Sequence, residues 1–200
     1  MIRCVVFDLG QVLSSPAGLH TEPAALLGVE PSAYEARYWD GRVAYDRGGT
    51  DDAYWGPLLR DLGRPDTPES VRALAQLDAR LWVDGMRPTA LQLLRDVRAA
   101  GRLVAILSNA PFALDLALAD APYADAADYW FVSASMGVTK PDPAAYNRVE
   151  EVTELTASEL AFIDDRPANV FGARQVGWQA HLYVDDSDTR AWLREIGVLA

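Results

Sequence analysis

Five short, almost wholly apolar runs recur along the chain: Ile2–Leu9, Leu103–Ser108, Tyr129–Ser133, Leu160–Asp164 and Ala180–Val184. A strand that is apolar at nearly every position has both faces covered, as in a parallel sheet packed between helices. Helical patterns lie between the runs. In "RPTALQLLRDVRAAG", Pro88 suits a first turn, Ala90, Leu91, Leu93, Leu94 and Val97 form an apolar stripe, and Gly101 ends it. "PAAYNRVEEVTEL" follows Asp142 in the same way, and "PANVFGARQVG" sets Pro167 near its start and Gly177 at its end. This alternation predicts an α/β fold with a doubly wound parallel-sheet core.

The interval between the first two runs breaks the rhythm. Residues 15–85 hold only helical candidates, around Glu22–Leu27, Ser32–Trp39, Asp51–Leu62 and Pro68–Leu81. A direct crossover needs only about a dozen residues. The expectation is a core made of residues 1–14 and 86–200, with 15–85 inserted as a helical cap over the sheet edge. Tyr38–Trp39, Tyr54–Trp55 and Trp82 fall in this insert, and core packing of the cap is the first reading for each.

Charge narrows the partners. The 200 residues carry a formal net charge of −11. Such a chain gains nothing from counterion release on nucleic acid or from an anionic membrane surface. A small phosphorylated molecule remains compatible, because one Mg²⁺ and one Lys reverse a local field. Cys4 is the single cysteine and lies in an apolar run, so no internal disulfide forms. No apolar run is long enough to span a bilayer, and strand pattern beginning at Ile2 predicts a chain without a signal peptide. The expected location is cytoplasmic.

Polar residues gather at strand ends. The first run delivers Asp8, with Gly10 two residues on; the second ends at Ser108 and Asn109; the fourth ends at Asp164 and Asp165. Lys140 sits in "MGVTKPDP", where Pro141 keeps it out of helix. Taken singly, these are ordinary turn, cap and surface residues. Together they fall where the carboxyl ends of parallel strands line a ligand crevice. Three carboxylates converging there repel one another, and a hard cation such as Mg²⁺ relieves that.

With "VFDLGQVL", "LSN", "MGVTKPDPAAY" and "FIDDRPANVFGARQVGW" in this order, the chain resembles the haloacid dehalogenase superfamily of aspartate-nucleophile hydrolases over nearly its whole length. The "DLG" start and "DDRPANV" end look most like the branch that includes sugar-phosphate phosphatases of the glucose-1-phosphatase kind. The resemblance implies that Asp8 attacks phosphorus and becomes an aspartyl phosphate. It implies that Ser108 and Asn109 bind the phosphoryl group and that Lys140 neutralises it. It also implies that Asp8, the Gly10 carbonyl, Asp164 and Asp165 hold Mg²⁺. The expected activity is Mg²⁺-dependent hydrolysis of a small-molecule phosphomonoester. Response-regulator receivers share an acidic pair, an Asp, a Ser/Thr and a Lys, but theirs follows the first strand and the chain is much shorter.

Gly10 departs from the pattern. The family's phosphatases carry a second Asp there, which protonates the leaving oxygen. Losing such a shuttle costs about 10²–10⁴ in rate. Three accounts follow. A phosphatase can borrow a shuttle, with His20, Asp46 and Arg47 as candidates. A metal-independent 2-haloacid dehalogenase needs none, although the acidic pair counts against it. A catalytically weak protein can bind a phosphorylated metabolite without turning it over. Arg37, Trp39, Tyr45 and Arg47 are the candidates for substrate contact from the cap.

Overall fold

A computed structural model describes residues 1–200. Five parallel strands form one sheet: β1 (Cys4–Phe7), β2 (Leu103–Ser108), β3 (Tyr129–Val132), β4 (Leu160–Asp164) and β5 (Gln179–Leu182), in the order β3-β2-β1-β4-β5. β1 is central, with Phe7 level with Ile106 of β2 and with Ile163 of β4. Connections leave β1 toward β2 and β3 on one side, and the chain then returns to β4 and β5 on the other. That reversal makes the β1/β4 seam the topological switch point, where such sheets bind ligands.

Strand alternation builds two cores. Val5, Phe7, Val104, Ile106, Ala161 and Ile163 face one layer, which includes α6 (Pro88–Ala99) and α11 (Asp186–Glu195). Cys4, Val6, Ala105, Leu107, Leu160 and Phe162 face the other, covered by α9 (Pro143–Thr153) and α10 (Pro167–Gln175). Burial on both faces is why the runs read as continuously apolar. The expected stripe of α6 is buried at Ala90, Leu93, Leu94 and Val97, and Gly101 follows in the left-handed region at φ 75°.

Between β1 and β2 every element is helical: α1 (Thr21–Leu27), α2 (Pro31–Tyr38), α3 (Arg42–Asp46), α4 (Asp51–Asp61) and α5 (Pro68–Asp84). Their apolar residues join the first core without a break, from Phe7 through Leu13 to Trp55 and Leu59. α3 is a further helix that none of the expected helical stretches covered. Two short helices complete the chain, α7 (Phe112–Ala119) and α8 (Ser133–Met136). Several strand ends differ from expectation: β1 begins later, at Cys4, and β5 runs Gln179–Leu182. β1 stops at Phe7, and Ser133 opens α8 instead of closing β3, because its hydroxyl accepts the Ala110 N–H at 2.9 Å. No helix is long and apolar enough to cross a membrane.

Candidate active site

Asp8 leaves β1 at the switch point, its backbone N–H bonded to Ile163 O of β4 at 2.8 Å. A tight turn follows, in which the N–H groups of Leu13 and Ser14 both reach Leu9 O. The positive φ of this turn lies at Gln11 (59°), not at Gly10. A Cβ at Gly10 would meet only the Trp82 ring, at 3.6 and 3.7 Å, an ordinary contact. Backbone conformation therefore does not demand the glycine. The Gly10 carbonyl accepts no backbone hydrogen bond.

Lys140 binds the seam together. Its ammonium donates to Asp8 Oδ1 at 2.8 Å, Asp164 Oδ2 at 2.7 Å and Leu107 O at 2.6 Å. All three of its donors are engaged, and its side chain is 1% exposed. Asn109 holds the Lys140 loop: its Nδ2 donates to Lys140 O at 2.9 Å, and Lys140 N–H donates to its Oδ1 at 2.8 Å. Asn109 thus spends its Oδ1 and one amide N–H on the lysine backbone while also lining the cavity. Ser108, buried at the end of β2, lines the crevice.

Asp8, Asp164 and Asp165 bring one carboxylate oxygen each to within 4.8 Å of one another. They are not equivalent. Asp164 is fully buried and accepts from Arg166 N–H at 2.8 Å, from Asn169 Nδ2 at 2.9 and 3.0 Å, and from Lys140. Asp8 Oδ1 takes Leu9 N–H and Lys140, while its Oδ2 takes no hydrogen bond and Asp165 is half-buried; both residues line the cavity. Burial raises the Asp8 carboxyl to about 7; Asp164 and Asp165 push the same way and Lys140 opposes them. Burial alone would lower the Lys140 ammonium, but Asp8 and Asp164 prevail and the net direction is up. Burial and Asp164 also raise Asp165. Crowded hard oxygen donors in excess over the single ammonium suit Mg²⁺.

These groups open into a cavity of about 620 Å³. Its opposite wall comes from the helices between β1 and β2, through Trp39, Arg42, Val43, Asp46, Arg47 and Trp82. Behind that wall is a second charged network. Buried Arg42 donates to Asp46 Oδ1 at 2.7 Å and to the Tyr38 hydroxyl at 2.5 Å, with Asp78 Oδ2 at 3.4 Å. The Tyr38 hydroxyl donates to Asp78 Oδ1 at 2.6 Å and accepts from Trp82 Nε1 at 3.2 Å.

The candidates from this segment divide. Trp39, Asp46 and Arg47 reach the cavity. Arg37 and Tyr45 line a separate hollow, where Arg37 faces Asp40 and Tyr45 donates to Asp51. His20 faces Glu35 at 3.6 Å and Tyr38 ring to ring, away from the cavity. Arg42, Asp78, Thr139, Arg166 and Asn169 were not singled out from sequence. Asp78 did leave a signal, as a carboxylate on the apolar stripe Leu74–Asp78–Leu81 of a helix. Asn169 stands five residues after Asp164 and shares its turn, but nothing in its spacing names its partner.

A profile described as "haloacid dehalogenase-like hydrolase" matches residues 2–177. Phosphatase MT3486 of Mycobacterium tuberculosis (strain CDC 1551 / Oshkosh) is 31% identical over 197 residues, spanning 94% of this chain and 90% of that one. The sesquiterpene phosphatase astK of Aspergillus oryzae (strain ATCC 42149 / RIB 40) is 32% identical over 197 residues, spanning 97% and 96%. Among solved structures, the HAD family enzyme bt-2542 of Bacteroides thetaiotaomicron, in complex with magnesium and inorganic phosphate, superposes with a TM-score of 0.72 at 20% identity, covering 94% of this chain and 99% of that one. The L-2-haloacid dehalogenase of Xanthobacter autotrophicus superposes at 0.73 with 22% identity, covering 100% and 85%. At those identities the two structures speak for the fold. The matched profile covers most of the sequence, and the chain belongs to the haloacid dehalogenase-like hydrolase family.

Proposed function

We propose that this hydrolase is a Mg²⁺-dependent phosphomonoesterase that works through an aspartyl phosphate on Asp8, with residues 15–85 as its cap. The observation that carries the reading is Lys140 bridging Asp8 and Asp164 while Asp8 Oδ2 and Asp165 stay open to the cavity. Asp8 and Asp165 with the Gly10 carbonyl would hold Mg²⁺, and Asp164 would support it through water and through Lys140. When bound, Mg²⁺ supplies charge that lets two anions meet and stabilises the transferring group. The phosphatase names of two relatives support the same reaction.

The chain's own residues do the rest. Lys140 holds Asp8 at a fixed angle and offsets its charge as the carboxylate approaches phosphorus. Attack forms the Asp8–phosphorus bond and releases the alcohol; water then cleaves that bond and frees phosphate. Ser108, at the end of β2, donates to the phosphoryl oxygens. Splitting one displacement into two lowers each barrier, and phosphoryl transfer is otherwise a matter of position and charge. Asn109 keeps the Lys140 loop in place.

The cap wall favours a substrate with an apolar body. Trp39 and Val43 are 50% and 66% exposed, and Leu114 joins them across the cavity. A relative named a sesquiterpene phosphatase supports that choice. The deciding experiment is a panel of aryl, sugar and long-chain alkyl phosphates with 2-haloacids, each with Mg²⁺ and with EDTA. The reading expects phosphate release with Mg²⁺ only, with lower KM for long-chain esters. Halide release in EDTA would replace it with a dehalogenase, and phosphate binding without release would replace it with a binding protein.

A further inference from the structure

Phosphate esters of alcohols need a proton on the departing oxygen, and Gly10 has none to give. We propose that Asp46, delivered by α3 from the cap, supplies that proton and later takes one from water. This rests on the phosphatase reading above.

The titratable and charged residues lining the cavity are Asp8, Arg42, Asp46, Arg47, Lys140, Asp165 and Arg166. Asp8 is the nucleophile and Asp165 faces the metal. Lys140 has all three donors engaged. The guanidinium groups stay protonated and cannot exchange a proton near neutrality. Asp46 is what remains.

Its geometry fits the task. Asp46 Oδ1 is fixed by Arg42 Nε at 2.7 Å, and Oδ2 takes no hydrogen bond; the side chain keeps 12% exposure. Its backbone is anchored to the catalytic core, because the Ser133 hydroxyl donates to Asp46 O while accepting from Ala110 N–H. The next residue, Arg47, donates to Thr139 Oγ1 at 3.3 Å, beside Lys140. The end of α3 that carries Asp46 is thereby tied to the core at Ser133 and at Thr139, and its carboxylate lines the cavity facing the Asp8 crevice. Burial raises it to about 6, with Arg42 opposing, Asp78 adding and Arg166 opposing, so a proton is available near neutral pH.

The protons balance. As the Asp8–phosphorus bond forms and the ester P–O bond breaks, protonated Asp46 gives its proton to the departing alkoxide. The resulting carboxylate then removes a proton from the water that attacks phosphorus. Breaking the acyl phosphate returns Asp8 as a carboxylate, phosphate departs, and Asp46 is protonated again.

The test is the leaving-group dependence of Asp46→Asn, which keeps an acceptor for Arg42 Nε. With Mg²⁺, kcat for alkyl phosphates falls about 10²–10⁴-fold. Turnover of p-nitrophenyl phosphate, whose phenolate leaves unaided, changes less than about tenfold by the same reasoning. Adding Gly10→Asp to Asp46→Asn restores alkyl turnover preferentially. Equal loss on both ester classes in a folded variant, or no loss on alkyl esters, overturns the proposal. Should Asp46→Asn not fold, Gly10→Asp alone answers: a gain on alkyl esters of about 10² or more would mean no shuttle exists. Wild-type protein inert toward every phosphate ester defeats the phosphatase reading first, and this one with it.

Discussion

Lys140 in the sheet crevice and Arg42 in the helices between β1 and β2 are both buried cations held between two aspartates, yet they do opposite things with their surroundings. Lys140 uses every donor on Asp8, Asp164 and Leu107 O, and the crevice still holds Asp165 and an open oxygen of Asp8. Arg42 is closed in by Asp46, Asp78 and the Tyr38 hydroxyl, with its guanidinium 5.1 Å from the Tyr38 ring and 5.7 Å from the Tyr45 ring. Aromatic faces and a neutral hydroxyl complete the second cluster. The first has carboxylate oxygens in excess of its one ammonium, which suits the Mg²⁺ and phosphate ester proposed above. A buried charge left without a partner is costly, which makes the open cluster the one suited to take up a further cation, while the Arg42 cluster leaves only Asp46 Oδ2 facing the cavity.

The sharpest separation is catalytic. Asp8→Asn removes the nucleophile and should lower turnover of p-nitrophenyl phosphate with Mg²⁺ by at least about 10⁴-fold. Removal of either cation should cost stability instead. Lys140→Met and Arg42→Met each strand two carboxylates and should lose about 3–5 kcal/mol in urea titrations. Saturating Mg²⁺ should recover part of that loss for Lys140→Met and none for Arg42→Met; equal recovery would erase the distinction between the clusters. In the wild type, Mg²⁺ at one hundred times its Kd should stabilise by about 2.7 kcal/mol. Thermal melts should show this gain disappear in Asp165→Asn.

The smallest effect is a pH dependence in the cap. Burial pushes the folded Asp46 carboxyl up to about 6, above its ordinary value of 3.8. The folded chain therefore binds an extra proton between those values, and stability from this group is lost as pH rises through about 6. Measured against Asp46→Asn, the wild type should lose roughly 2 kcal/mol between pH 4 and pH 7. A flat difference would mean that Arg42 already cancels the cost of burying the charge.

The same contrast explains what the sequence revealed. Apolar runs such as Leu160–Asp164 are continuous and buried on both faces, and Asp8, Ser108 and Asp164 mark strand ends, so the sheet and the crevice could be read directly. Strand limits shifted where pairing decided them: β1 stops at Phe7, and Ser133 turns into a helix to bond Ala110. The cap network was hidden for a physical reason. Arg42 and Asp46 resemble an ordinary exposed helical pair, while Asp78 lies 36 residues from Arg42, and only packing brings it near. Asp164 and Asp165 also looked alike in sequence. Their unequal roles come from Asn169 and Lys140 closing around Asp164 alone. Local patterns encode elements; long-range partners of single polar groups do not leave a periodic trace.

The central claim is a covalent phosphoryl group on Asp8. Wild-type protein turning over p-nitrophenyl phosphate with Mg²⁺, quenched in acid and mapped by peptide mass, should carry one phosphoryl group on the peptide containing Asp8. Steady phosphate release with that peptide unmodified, or with the group on another residue, would contradict the account.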